Sequence, residues 1–170
     1  METLYYLNAA IAVIATALAV TRTHAVHALL NLVVSLLALA LIFFLLGAPF
    51  AAALQLIVYA GAIMVLFVFV IMMLTAATHA TPEQRCWLRG RAWLGPIVLC
   101  TLLLIELGYL LLESGIGAPG NRGVVSAETV GGSLFGPYLI AVELASLLLL
   151  AGLVGACHLG MRGDDEERSG

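Results

Sequence analysis

Two carboxylates, Glu106 and Glu143, stand inside apolar stretches of the chain. An ionisable group near the middle of a membrane-crossing helix is expensive unless it faces protein or water. Glu143 lies in Phe135-Gly-Pro-Tyr-Leu-Ile-Ala-Val-Glu-Leu-Ala-Ser146, about 9 Å past Pro137 at helical rise. Ser146 falls one turn on, on the same face. The chemistry such a carboxylate offers is proton relay or the lining of a channel. The alternative is a structural carboxylate, bonded to a neighbouring helix or snorkelling outward. Glu106 aligns with Tyr109 and Glu113 at i+3 and i+7, a stripe that reads as a wet or interfacial face running towards the external surface. His27, Asn31 and Ser35 recur at i+4. Such a row either lines water or bonds a partner helix, at about 0.6 to 2 kcal/mol per bond.

The stretch from Ala53 to Met73 joins polar groups to a mechanical element. Gln55 and Tyr59 stand one above the other, Gly61 follows near the centre of the apolar run, and a bulky Met/Phe/Val segment comes after it. A central glycine weakens helix regularity by about 1 kcal/mol against alanine. It permits a π-bulge, which changes the rotational phase of everything downstream. Past such a bulge Met64, Leu66 or Phe67 turns towards or away from an aqueous path, so this helix is a candidate gate. The other reading is a glycine serving close helix packing, as the small pairs Ala141/Ala145, Ala151/Gly155 and Gly152/Ala156 do later in the chain.

Ordinary catalysis finds no ingredients. There is no GxGxxG, no P-loop, no CxxCH and no arrangement supporting a Ser/His/Asp triad. Cys86, Cys100 and Cys157 are scattered singly, so neither an iron-sulfur cluster nor a zinc site is expected. His24, His27, His79 and His158 show no ligand spacing with a third partner. The chain is expected to have no catalytic residue, no cofactor-binding residue and no metal ligand of its own.

The elements that must position these groups are membrane spans. Of 170 residues, 63% are hydrophobic and 10% charged, with a mean hydropathy of +1.12, where soluble domains carry about 25% charged residues. Apolar stretches fall at 3–21, 25–46, 52–76, 92–113 and 137–159, each long enough to cross a hydrocarbon core of about 30 Å. The expected fold is an all-α integral membrane protein of five transmembrane helices, one domain over 1–160 followed by an acidic, disordered tail at 161–170. The prolines, Pro49, Pro82, Pro96, Pro119 and Pro137, sit in connections or near first turns, where a missing N–H is tolerated. Met1-Glu-Thr-Leu-Tyr-Tyr6 carries no basic residue ahead of the first apolar run, so that run reads as a retained span rather than a cleaved signal.

Arginine asymmetry sets the direction. Arg22, Arg85, Arg89, Arg91, Arg162 and Arg168 fall on one side and Arg122 alone on the other, which puts the N-terminus outside and the C-terminus in the cytoplasm. The Gly-rich segment from Glu113 to Gly136 reads as an irregular external loop. A net charge of −3 with no lysine and no basic cluster argues against nucleic-acid binding.

Three stretches carry a family resemblance: His24-Ala-Val-His-Ala-Leu-Leu-Asn-Leu-Val-Val-Ser-Leu-Leu-Ala38, Ile57-Val-Tyr-Ala-Gly-Ala-Ile-Met-Val-Leu-Phe-Val-Phe-Val70, and the run from Leu134 through Phe-Gly-Pro-Tyr-Leu-Ile-Ala-Val-Glu-Leu-Ala-Ser to Val154. They resemble the subunit J family of bacterial NADH:quinone oxidoreductase, respiratory complex I, whose mitochondrial counterpart is NADH dehydrogenase subunit 6. The likeness covers most of residues 1–160. It implies a bacterial inner-membrane subunit of a proton-translocating enzyme that holds no redox centre itself. NADH, FMN, iron-sulfur clusters and quinone would be bound by other subunits, and its neighbours would be subunits A, H and K together with the lipid bilayer. The family's third helix can carry a π-bulge at the positions matching Tyr59 to Val65, and its straightening is proposed to gate water between the quinone cavity and buried carboxylates of subunit K. Carried over, this marks Tyr59, Gly61, Met64, Val65 and Phe67 as gating positions beside the proton-path candidate Glu143. Gln55 departs from relatives that have glutamate there; a neutral amide can relay a hydrogen bond but cannot hold a charge.

Two alternatives stay open. One is a homologous small subunit of a membrane-bound hydrogenase or a multisubunit cation/proton antiporter. The other is a stand-alone small transporter, which predicts an internal repeat and interrupted helices around a midplane site; no such repeat is evident.

Overall fold

In a computed structural model of the chain, the structure describes residues 2–22, 25–77, 94–113 and 124–168. Arg85, Arg89, Arg91, Cys86, His24, His79 and Pro82, and Pro119 and Arg122 of the Gly-rich segment, lie outside the described residues. The described residues are helical or connect helices, with no strand among them. The chain falls into two compact units, Met1–Val125 and Ser126–Gly170.

The first unit holds α1 (Glu2–Thr21), α2 (Ala25–Leu45), α3 (Pro49–Leu54), a π-helical segment (Gln55–Ile63), α4 (Met64–Ala77) and α5 (Leu94–Glu113). Its core is the meeting of α1, α2 and α5 around Ile11, Ala15, Val34, Ala38 and Leu103. Ala15 and Ala38 are fully buried, and residues this small let apolar helices approach closely where no hydrophobic effect drives them together. α1 and α5 run antiparallel: Asn8 meets Glu106 near one end, and at the other a Cβ at Gly95 would come within 3.8 Å of an Arg22 guanidinium nitrogen.

The corner between α2 and α3 sets the start of the third membrane helix. Gly47 has φ +81°, a left-handed conformation that costs an L side chain dearly. Gly47 N–H donates to Phe44 O and Ala48 N–H to Phe43 O, closing α2 as glycine-terminated helices do. Pro49 then opens α3 from its first turn, where its missing N–H costs nothing. The Gly47 carbonyl also accepts from Val125 N–H at 3.0 Å. Beside the start of the π segment lies an apolar cavity of about 300 Å³, lined among others by Leu41, Phe44, Ala52, Leu56 and Leu107.

The second unit holds α6 (Ala127–Leu134) and α7 (Leu139–Arg168). The expected irregular loop is therefore helical over α6. Ser126 provides the reason: its Oγ accepts from Thr129 N–H at 3.2 Å, an N-cap strong enough to start a helix through Gly131 and Gly132. α6 and α7 are joined by a turn in which Tyr138 N–H donates to Ser133 O. The backbone of α7 stays helical through residues expected in the acidic tail.

Among the described residues four helices are long and apolar enough to cross a membrane: Glu2–Thr21, Ala25–Leu45, Pro49–Leu74 and Leu139–Gly160. Leu94–Leu110 forms a shorter apolar helix.

Candidate functional site

Met64 N–H donates back to Tyr59 O, a five-residue reach that defines the π register; an α-helix would close on the residue four back. The π segment occupies Gln55–Ile63, so it begins ahead of Tyr59 and ends before Met64 and Val65. Gly61 sits within it, and a Cβ there would lie 3.2 Å from Leu56 O. That carbonyl is five residues back, where the π register brings an acceptor over the glycine. A side chain at this position would have to push that carbonyl back by a few tenths of an ångström.

The gating positions do not share one face. Met64, at 4% exposure, is buried, and Gly61 is half-buried. Tyr59, Val65 and Phe67 are exposed on the chain, at 50%, 65% and 50%. Gln55, at the entry to the π segment, is buried at 6%. The wide helix therefore starts on a polar side chain turned inwards and ends on a methionine turned inwards, with an aromatic face outwards between and beyond them.

Glu143 lies early in α7 and is exposed within its unit. Ser146 Oγ donates to the main-chain carbonyl of Glu143 at 2.7 Å, so the neighbouring hydroxyl satisfies itself on its own helix. The carboxylate stays available to whatever covers α7.

The row on α2 packs inwards. His27, Asn31 and Ser35 are all buried. Ser35 Oγ lies 2.7 Å from Thr16 Oγ1 and donates to Ala12 O at 3.1 Å, while Asn31 Nδ2 donates to His27 O of its own helix at 2.8 Å. Of the two readings of this row, Ser35 takes the interhelical one.

Glu106 departs from expectation. It is 4% exposed and accepts a 2.6 Å hydrogen bond from Asn8 Nδ2, whereas Tyr109, one turn on, is 52% exposed. The stripe expected to be wet splits because α1 packs on the Glu106 side of α5. Asn8 and Thr16 escaped the sequence reading. The available signal for Asn8 was an amide inside the first apolar run, and for Thr16 its place at i+8 from Asn8.

Among the described residues no group of three or more His, Cys, Asp and Glu gathers as a metal site. Cys100 and Cys157 are free thiols.

Comparison with known proteins supplies the wider context. The model of the family described as NADH-ubiquinone/plastoquinone oxidoreductase chain 6 matches residues 15–159. The chain is 53% identical over 160 residues to the NADH-quinone oxidoreductase subunit J of Pseudomonas aeruginosa, covering 94% of this chain and 96% of that protein. With the subunit J of Escherichia coli K12 it shares 51% over 171 residues, covering 100% and 90%. With that of Buchnera aphidicola from Acyrthosiphon pisum it shares 42% over 163 residues, covering 94% of each.

Proposed function

The chain belongs to the NADH-ubiquinone/plastoquinone oxidoreductase chain 6 family, and from that membership we propose that it is a membrane-arm subunit of a proton-translocating NADH:quinone oxidoreductase. It crosses the bacterial inner membrane five times, counting Leu94–Glu113 as the fourth span, with its N-terminus outside. Its neighbours are subunits A, H and K. Electrons pass through other subunits. NADH, FMN, iron-sulfur clusters and quinone belong to the other subunits.

Its part in the reaction is to form and gate the hydrated path that couples quinone reduction to proton pumping. The observation that carries this reading is the π segment Gln55–Ile63 with the Leu56 carbonyl over Gly61. Changing the register by one residue rotates everything after it by about 100°, which would swing Met64 outwards and bring a neighbouring side chain in. The neighbours that would replace it are Ile63 and Val65, branched side chains of a different shape from methionine, and that exchange is what would open or close the path to water. Tyr59 and Phe67, exposed on this chain, are the side chains that would meet the neighbouring subunits, and Glu143 on α7 offers the path a carboxylate.

The test is to purify the chain from its native membranes through an affinity tag. A co-purifying assembly that oxidises NADH, contains FMN and iron-sulfur clusters and reduces quinone supports the assignment. Antiporter-like subunits without a redox arm would overturn it.

A further inference from the structure

The Asn8–Glu106 contact is left short of one hydrogen. Asn8 is fully buried and Glu106 nearly so. The amide nitrogen of Asn8 has two hydrogens, and both are committed: Nδ2 donates to Leu4 O at 3.0 Å and to Glu106 Oε1 at 2.6 Å. What remains are Asn8 Oδ1 and Glu106 Oε2, both buried and both without a partner. With Glu106 ionised, each of these atoms can only accept, so neither can satisfy the other.

Among the described residues of the first unit the cationic side chains are Arg22 and His27, and both lie away from the pair. Glu106 shares its face of α5 with Leu103 and Leu110, both buried. Arg22 stands by Gly95, about 16 Å down α5 from Glu106 at helical rise. His27 belongs to the other end of the unit: Ser35 is level with Thr16, and from that level Asn8 and His27 lie about 12 Å away in opposite directions. The other described titratable side chains near this end, Glu2, Tyr5, Tyr6 and Tyr109, are exposed. A water donor would need room around the pair, whereas Asn8 Oδ1 and Glu106 Oε2 are both closed off from it.

We propose that Asn8 and Glu106 form a proton-holding site, in which Glu106 carries a hydrogen on Oε2 and donates it to Asn8 Oδ1. The pair is then an acid–amide ring of two hydrogen bonds: Asn8 Nδ2 donates to Oε1, Oε2 donates to Oδ1, and no charge is buried. One hydrogen satisfies both orphaned atoms at once. The site pins α1 to α5 at the end away from Arg22. The proposal does not depend on the role of the π segment.

The experiment uses the whole purified complex with Glu106→Gln, Glu106→Leu and Asn8→Leu. Glutamine is the neutral isostere, whose Nε2 can donate to Asn8 Oδ1, so the amount of assembled complex on native gels should stay within twofold of wild type. Either leucine variant should lower it severalfold. The infrared spectrum of wild type minus Glu106→Gln should show the carbonyl band of an undissociated carboxylic acid. Carboxylate bands in its place would overturn the proposal, as would a Glu106→Gln complex that fails to assemble while Glu106→Leu assembles normally.

Discussion

Replacing Gly61 should bias the third helix against its π register, in proportion to what the new side chain meets. The first atom added is a Cβ 3.2 Å from Leu56 O, closer than ordinary contact, and the obstacle is a main-chain oxygen that cannot rotate away. Gaining a few tenths of an ångström requires opening backbone angles. About 7° of bond-angle strain costs about 1 kcal/mol, which changes an equilibrium between registers by about fivefold. Leucine adds bulk at a half-buried position, and overpacking of this kind costs about 1–3 kcal/mol. Gly61→Ala should therefore reduce proton pumping modestly and Gly61→Leu severely, with assembly affected less than coupling in both. The assay is the ratio of protons moved to NADH oxidised in inverted membrane vesicles, beside native gels for assembly. Gly108→Ala is the control, because a Cβ at Gly108 meets nothing within 4 Å in the chain. Normal pumping per electron in an intact Gly61→Leu complex would refute the reasoning.

Three other outcomes are expected. Glu143→Gln should slow proton-coupled turnover with α7 intact, since the side chain is exposed within its unit; unchanged rate and proton stoichiometry would return Glu143 to a passive role. Gly47→Ala forces alanine into φ +81°, at a cost of about 1–2 kcal/mol, and should lower the thermal midpoint of the complex; an unchanged midpoint would show that the α2–α3 corner relaxes freely. Ser35→Ala removes the hydroxyl that meets Thr16 and Ala12 O, worth about 0.6–2 kcal/mol. Its effect should be lost when Thr16 is already valine, which a double-mutant comparison of stability reads directly.

Spans were legible because the bilayer imposes length and apolarity, so runs such as 25–46 stand out in a chain this poor in charge. The inward row His27, Asn31 and Ser35 was legible from its spacing alone, since i+4 residues share a face whatever that face packs on. Which way Glu106 turns was not. Its spacing to Tyr109 suits a wet stripe equally well, and only the arrival of α1, carrying Asn8, decides that α5 buries that side. α6 was hidden by Gly131 and Gly132, which depress helix propensity while the Ser126 cap works in the opposite direction. Around Gly61 the sequence indicated a place where the helix could widen. It could not mark the ends, because the π register is held by backbone bonds such as Met64 to Tyr59 that no side chain encodes.

The gating account is tested most directly by the backbone register between Gln55 and Phe67 in the assembled complex, determined once at rest and once trapped during turnover with NADH and quinone. The account predicts a π segment in one condition and a continuous α-helix in the other, with Met64, Val65 and Phe67 rotated by about 100° between them. The same register in both conditions, with pumping intact, would contradict it.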